Sequence, residues 1–384
     1  MNDKLKNWPL IIALALAVVI AFSWMTGPIP NSTSPVFKTE TEKSASNGMD
    51  DVQQDVGRQG RQPRLTGYVP NPEGTKEFLK TLPNPEIRMA GPRLEIRAGE
   101  PVFLYKALYR AWDSLHPSGP KWRVGRQGIG DCVSWGFAHA ADIHLAVMFV
   151  LGDSSEWRPA ATEAIYGGSR VEARGKTQAG YSDGSYGAAA AKWLIEWGVV
   201  FREPYNLKSG LVDLTKYDSN RAKEWGNYGC GGQRDGGELD EFARKHPIRN
   251  VALVKNFDGA ASAIQSGYPV AVCSNVGFTY TRDSKGFARA SGSWSHCMCF
   301  IAVRFNPDGL LCLNSWGPDW ITGPVYPDDQ PEGSFWVDKE TVNRMLSQGD
   351  SFAVSGYEGF PPRKLEHDKW VLLPTEEYYV CTPQ

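Results

Sequence analysis

An α+β fold is what the sequence predicts, on three observations. The run from Val133 to Leu151 is densely apolar and free of proline, and it reads as one buried helix. The apolar stretches on either side of Asn306-Pro307-Asp308-Gly309 read as the strands of a β-hairpin. The chain's 14 Trp, 15 Tyr and 16 Phe supply ample aromatic surface for a core. The chain is expected to be helical over roughly residues 100–205 and β-rich, barrel-like, over roughly 250–355.

Composition excludes several other classes. Lys+Arg is 41 against Asp+Glu 43, a formal net charge of −2, and no basic run is present. That argues against a nucleic-acid partner held by phosphate neutralisation. Glycine (40) and proline (26) together stay below the share at which low complexity becomes the default, so whole-chain disorder and collagen-like repetition are also excluded.

The first residues set the expected compartment. Lys4 and Lys6 precede an apolar stretch, Trp8–Met25, broken only by Pro9 and Ser23. As a helix it would extend roughly 27 Å, close to the hydrocarbon thickness of a bilayer. Residues 1–26 therefore read as a signal anchor, with secretion after signal cleavage as the alternative, and a membrane is the expected partner of residues 8–25. Lysines on the short amino-terminal side put the body on the non-cytoplasmic side. Residues 27–66 have few large apolar side chains and read as a flexible tether. Seven cysteines fit an exported body able to keep disulfides, and with one thiol left free there are enough for three bridges.

Three stretches far apart in sequence carry the chemistry. The first is Gln127-Gly128-Ile129-Gly130-Asp131-Cys132, running into the predicted helix. Asp131 suits an N-cap and Gly152 a stop, which places Cys132 in the first turn. There the positive end of the helix dipole favours a thiolate, and the residue's own N–H is free to face a developing oxyanion. The second and third stretches are the two arms of the hairpin. His296 is expected at the outer end of one strand and Asn314 near the end of the other, within side-chain reach. An Asn carbonyl there fixes the imidazole tautomer and leaves the other ring nitrogen for a thiol. Trp316 is expected to cover that hydrogen bond.

Together these motifs resemble the papain-like cysteine proteases. That family has a Gln before a helix-starting Cys, a His opening a strand, and Asn-Ser-Trp-Gly one hairpin later, matched here by Asn314-Ser315-Trp316-Gly317. Asp183-Gly184-Ser185-Tyr186-Gly187 looks like the family's substrate wall, and Gly267-Tyr268-Pro269-Val270 like its Gly-Pro-Val turn with a tyrosine inserted. The likeness runs from about residue 120 to about 340. It implies a two-lobed papain-like fold with Cys132 as nucleophile, His296 as its proton partner in a thiolate–imidazolium pair, Asn314 orienting His296, and Gln127 in the oxyanion hole. It also implies that Gly184, Ser185 and Tyr186 line a polypeptide substrate, that peptide bonds are hydrolysed through a thioester, and that no cofactor or metal is needed. Three positions depart from the pattern: Gln127 lies five rather than six residues before Cys132, Val133 follows the nucleophile, and Ser185 replaces a second glycine.

Gly180-Tyr181-Ser182-Asp183-Gly184 matches a serine-hydrolase elbow, but the polar Arg170–Thr177 stretch before it is a poor strand. Cys297, Cys299 and Cys312 have metal-ligating chemistry, yet Cys297 and Cys299 share one face of a strand and read as buried thiols or a disulfide. His139 and His144, five apart on the predicted helix, are poorly spaced for joint ligation and read as packing residues. A papain-like binding module with little turnover, or a cysteine amidase or transpeptidase acting on cell-wall peptides, shares the same residues. The expected boundaries are an anchor at 1–26, a tether at 27–66, a non-standard prosegment across or beside the cleft at 67–99 and the catalytic domain at 100–384. Within the last, 206–250 reads as an insertion or long loop, and 357–384 as a tail packed back on the body.

Overall fold

The structure, a computed structural model, describes residues 65–87, 94–180, 182–232 and 237–365. The anchor at 1–26, nearly all of the tether and the tail beyond residue 365 lie outside the described residues.

In chain order the elements are α1 (Pro72–Thr81), β1 (Val102–Phe103), α2 (Tyr105–Leu115), α3 (Cys132–Val150), α4 (Thr162–Arg170), α5 (Gly187–Glu196), β2 (Pro204–Leu207), β3 (Gly210–Asp213), α6 (Ser219–Tyr228), α7 (Glu238–Ala243), β4 (Asn250–Leu253), α8 (Phe257–Gln265), β5 (Val270–Arg282), β6 (Ala288–Arg304), β7 (Gly309–Leu313), β8 (Ser334–Asp338), α9 (Lys339–Leu346) and β9 (Phe352–Ser355). The fold is α+β. Helices dominate the first half, and an antiparallel sheet ordered β4-β9-β5-β6-β7-β8, with β1 also paired to β6, dominates the second.

Helix α3 is the central element. Sixteen of its nineteen residues, Cys132 through Val147, are buried, as its near-continuous apolar composition requires. Among the described residues it is also the one helix long and apolar enough to cross a bilayer, but its burial makes it a core helix of the body. It ends at Val150, and Gly152 follows at φ +80°, the left-handed conformation anticipated for the stop. One face of α3 rests on β5 and β6, and Gly136 sets the distance. A Cβ there would lie 2.7 Å from the Cys297 sulfur and 2.9 Å from the Met298 carbonyl.

The hairpin is present, β6 turning into β7 with Cys299 opposite Leu313 and Arg304 opposite Gly309. Strand β6 is longer than expected. It begins at Ala288, so His296 stands inside the strand rather than at its end. The pairing of β5 with β6 changes register just beyond Ser274–His296, and on the far side of this irregularity β6 is largely exposed, from Arg289 to Ser295.

Residues 206–250 correct the expected loop. They hold the β2–β3 hairpin, α6 and α7, and bury Leu214, Ala222, Trp225, Leu239, Ala243 and Ile248. Their glycines and charges masked a modest apolar set that packs against α4 and its neighbours. The start of the tail does pack on the body, with Phe360 and Leu365 buried and the Tyr268 hydroxyl donating to the Pro361 carbonyl. No disulfide forms among the described cysteines. Cys132, Cys273, Cys297, Cys299 and Cys312 are buried free thiols, so Cys297 and Cys299 are not bridged to each other, and Cys230 is also buried.

Because Gly136 has no room for a side chain, Gly136→Val is expected to cost about 2 kcal/mol or more, the scale of overpacking a closed core. Urea unfolding of the variant, read as a shift in midpoint at unchanged slope, measures it.

Candidate active site

The loop leading to α3 is fixed before the helix begins. Gln127 N–H donates to the Ser315 carbonyl (2.8 Å), and its side-chain carbonyl accepts from the Ser315 hydroxyl (2.6 Å). Its amide nitrogen donates to Ile129 O at 2.9 Å. Gln127, buried at 4% exposure, thus links the loop before Cys132 to Ser315, just past the end of β7.

Asp131 departs from expectation. It occupies the N-cap position of α3, but its side chain makes no capping bond. One carboxylate oxygen accepts instead from Trp135 Nε1 (3.2 Å) and the Tyr217 hydroxyl (2.9 Å), while Oδ1 is buried without a partner. Tyr217 comes from the segment before α6, a partner that sequence spacing does not reveal. Burial raises the Asp131 carboxyl to about 8.

Cys132 opens α3 as expected and is fully buried. The expected thiolate is not its state here. Burial pushes the thiol well above its ordinary range, nearby Cys297 and Asp131 add to that push, and the backbone N–H groups of Cys297 and Gly67 partly oppose it. Loss of water around the sulfur outweighs the helix terminus.

His296, beside Cys297, is also fully buried. Its Nε2 lies 2.8 Å from Asn314 Oδ1, and the same oxygen accepts from Ser315 N–H at 2.7 Å. A backbone N–H only donates, so the atom facing it is the amide oxygen and His296 Nε2 carries the hydrogen. The lone pair is then on Nδ1, which is buried without a hydrogen-bond partner. Burial lowers the imidazole to about 4, with the Asn314 hydrogen bond acting weakly in the other direction. Both members of the expected ion pair are therefore neutral. Trp316 lies over the histidine, ring centroids 4.7 Å apart, as anticipated.

The reason for this dryness is the chain itself. Residues 65–69 lie across the site. Gly67 N–H and Tyr68 N–H both donate to Ser295 O, Val69 N–H donates to Ser185 O, and Ser185 N–H donates to Gly67 O. Trp316 Nε1 donates to Leu65 O at 2.9 Å. Leu65 and Thr66, read from sequence as the end of the tether, thus belong to this covering strand. A Cβ on Gly67 would fall 1.8 Å from the Gly130 carbonyl oxygen, so only glycine fits there. The strand continues into α1, where Thr75 Oγ1 donates to Asp350 Oδ1. Asp350 also accepts from Gly187 and Ala188 N–H at the start of α5.

The stretch expected from the resemblance to line a substrate, Gly184–Ser185–Tyr186, lies beside this covering strand, Ser185 exchanging backbone hydrogen bonds with Gly67 and Val69. Gly184, at φ +95°, and Ser185 are buried, and Tyr186 leads into α5. No strand precedes the elbow-like Ser182, and no cluster of three metal-ligating side chains occurs among the described residues. His144 is a packing residue, bonded through its two ring nitrogens to Gly267 O and Gly356 N. Sequence reasoning took Asp131 only as a cap and Ser315 only as part of its motif, and did not single out Asp350 or Tyr217. Each acts through a contact distant in sequence, and only the Asn-Ser-Trp-Gly motif carried a signal for one of them.

The buried titratable groups divide into two sets. His139, His144 and His296 are each lowered to about 4, while Asp350, Asp142 and Asp131 are raised to about 6, 7 and 8, all chiefly by burial. Between about 4 and 6.5 the unfolded chain binds the extra histidine protons and the folded chain the extra carboxyl protons, so the two sets oppose each other. Above about 6.5 only the carboxyls act, and their contribution is lost as pH rises through their folded values. Calorimetric Tm should therefore change little between about pH 4.5 and 6 and fall between about 6 and 8, with Asp131→Asn reducing the fall.

No protein-family model and no curated protein matches the sequence. Among solved structures, xylellain, a cysteine protease from Xylella fastidiosa, is 16% identical with a TM-score of 0.44, over 76% of this chain and 96% of that one. Digestive procathepsin L 3 of Tenebrio molitor larval midgut is 14% identical with a TM-score of 0.41, over 76% and 83%. ProCathepsin B S9 from Trypanosoma congolense is 12% identical with a TM-score of 0.42, over 78% and 87%. These three are papain-like cysteine proteases, and at 12–16% identity the likeness is one of fold.

Proposed function

We propose that the chain is a thiol-dependent endopeptidase, closed over its active site by its own N-terminal segment. The observation that carries this reading is the orphaned lone pair on His296 Nδ1, buried on the residue next to Cys297, whose N–H approaches the Cys132 sulfur. A buried imidazole nitrogen with no protein partner costs free energy unless it has a task, and accepting the Cys132 proton is one. Asn314 and Trp316 hold the ring for that transfer.

The chemistry follows from these groups. With the covering strand gone, water returns, the thiol falls and the imidazole rises, and the proton moves from Cys132 to His296 Nδ1. The sulfur attacks a peptide carbonyl, whose oxygen takes the negative charge beside the Cys132 N–H and the second amide hydrogen of Gln127. His296 then gives its proton to the departing nitrogen, leaving a thioester. It next takes a proton from water, which attacks and releases the acid.

This order of events fixes which way a substrate lies. The leaving amine must be on the His296–Trp316 side and the acyl part along Gly184–Ser185. The covering strand runs the other way, Leu65 at Trp316 and Val69 at Ser185. Its peptide bonds are presented in the wrong sense for attack, which makes residues 65–81 a cover rather than a substrate. This reading keeps the prosegment role expected for 67–99 and moves its start to Leu65.

Gly67→Val is the direct test, since a side chain at Gly67 cannot coexist with the Gly130 carbonyl. In the full chain, alkylation of Cys132 at about pH 6 should rise at least tenfold over the wild type, together with hydrolysis of unstructured peptides. His296→Ala in the same background should abolish both. Fast labelling without hydrolysis would instead support the binding-module reading, and unchanged labelling would remove the cover. The apolar stretch 8–25 would hold this body at a membrane, and carbonate extraction should leave the full chain in the membrane fraction.

A further inference from the structure

The substrate wall is held from beneath by one face of α4. Tyr166, Ser169 and Arg170 stand at i, i+3 and i+4, so their side chains leave the helix together. All three are buried, Arg170 at 2% exposure. The Tyr166 hydroxyl donates to Asp183 Oδ1 at 2.9 Å and accepts from Gly184 N–H at 3.0 Å. Ser169 Oγ lies 2.9 Å from Ser185 Oγ. Arg170 donates to the carbonyls of Gly180, Ser182 and Gly184, and through Nε to Gly226 O at 2.6 Å. The other oxygen of Asp183 accepts from Gly130 N–H, two residues before Cys132.

These bonds join the Gly184–Ser185 stretch to the loop before Cys132 directly, through side chains, in addition to the packing of α3, α4 and α5. Asp183 is the only side chain in Ser182–Ser185 that reaches the nucleophile loop, and Tyr166 fixes both Asp183 and the Gly184 N–H. We propose that Tyr166, Arg170 and Asp183 form a positioning unit that locks the Gly184–Ser185 wall at a set distance from Cys132. The inference rests on the peptidase reading of the site and adds to it residues that touch neither the thiol nor the substrate. Their work is geometric: a peptide backbone paired with Ser185 is delivered with its carbonyl over the sulfur, and a misplacement of about 1 Å is enough to lose most of the benefit. The acidic group is needed as an acceptor rather than as a charge. In Asp183→Asn the amide oxygen still accepts from Gly130 N–H and the amide nitrogen donates to the Tyr166 oxygen.

The test compares two alkylating reagents on full-length Gly67→Val, whose cleft is open. Iodoacetamide needs only the thiolate. A peptidyl chloromethane undergoes the same displacement, carbon–sulfur bond formed and chloride expelled, but its peptide must lie on the wall. Adding Tyr166→Phe or Asp183→Ala should slow Cys132 labelling by the peptidyl reagent about tenfold and leave the iodoacetamide rate unchanged, the effect of losing about one well-placed hydrogen bond. Asp183→Asn should restore the parent ratio. Equal slowing of both reagents, no slowing of either, or a parent chain that reacts no faster with the peptidyl reagent would each overturn the proposal. Since neither rate requires turnover, the expected pattern without peptide hydrolysis would keep the positioning unit and reject the peptidase reading.

Discussion

The seating of α3 on β6 is the contact from which the rest of the site takes its geometry. Gly136 lets the helix approach until Cys297 and Met298 fill the space a side chain would need. That approach puts Cys132, at the helix start, against the strand that carries His296. Cys132 on the helix and His296 on the sheet stand 164 residues apart along the chain. Only close packing holds them to the tolerance proton transfer demands. The hydrogen bonds around Gln127 and Ser315 then fix the approach to the helix, and Asn314 fixes the ring.

Much of this was legible in the sequence because it rests on local pattern. Helix α3 was visible in its unbroken apolar run, the β6–β7 hairpin in its turn residues, and the His296–Asn314 bond in the hairpin's ability to bring two strand residues together. What was not legible depends on contacts with no local mark. The stretch 206–250 read as loop because its few apolar residues are spread among glycines and charges, although Trp225 and Leu239 find a core waiting for them. Asp131 looked like a cap because Asp at that position usually is one. Its side chain turned to Tyr217 and Trp135, which only the folded chain provides. The α4 face below the wall was missed for a different reason. Tyr166, Ser169 and Arg170 are polar at helical spacing, which normally marks a solvent face, and nothing in the spacing says that the wall will cover it.

The protonation state of the site shows two effects competing on one atom. A helix terminus is worth at most a kcal/mol or two to a nearby charge, whereas stripping water from a charged group costs several. With Leu65–Val69 in place, dehydration wins on both partners, raising the thiol and lowering the imidazole.

The contacts of that strand also bear on how the protein is made. Leu65 binds Trp316, 251 residues later, and Thr75 binds Asp350, 275 residues later. During synthesis the amino-terminal strand emerges first and must wait for nearly the whole body before its partners exist. His296 and Asn314 arrive in that same final portion of the chain. The Cys132–His296–Asn314 cluster and the strand that covers it are consequently completed together, and a ribosome-bound intermediate with that cluster assembled and uncovered has almost no window in which to exist.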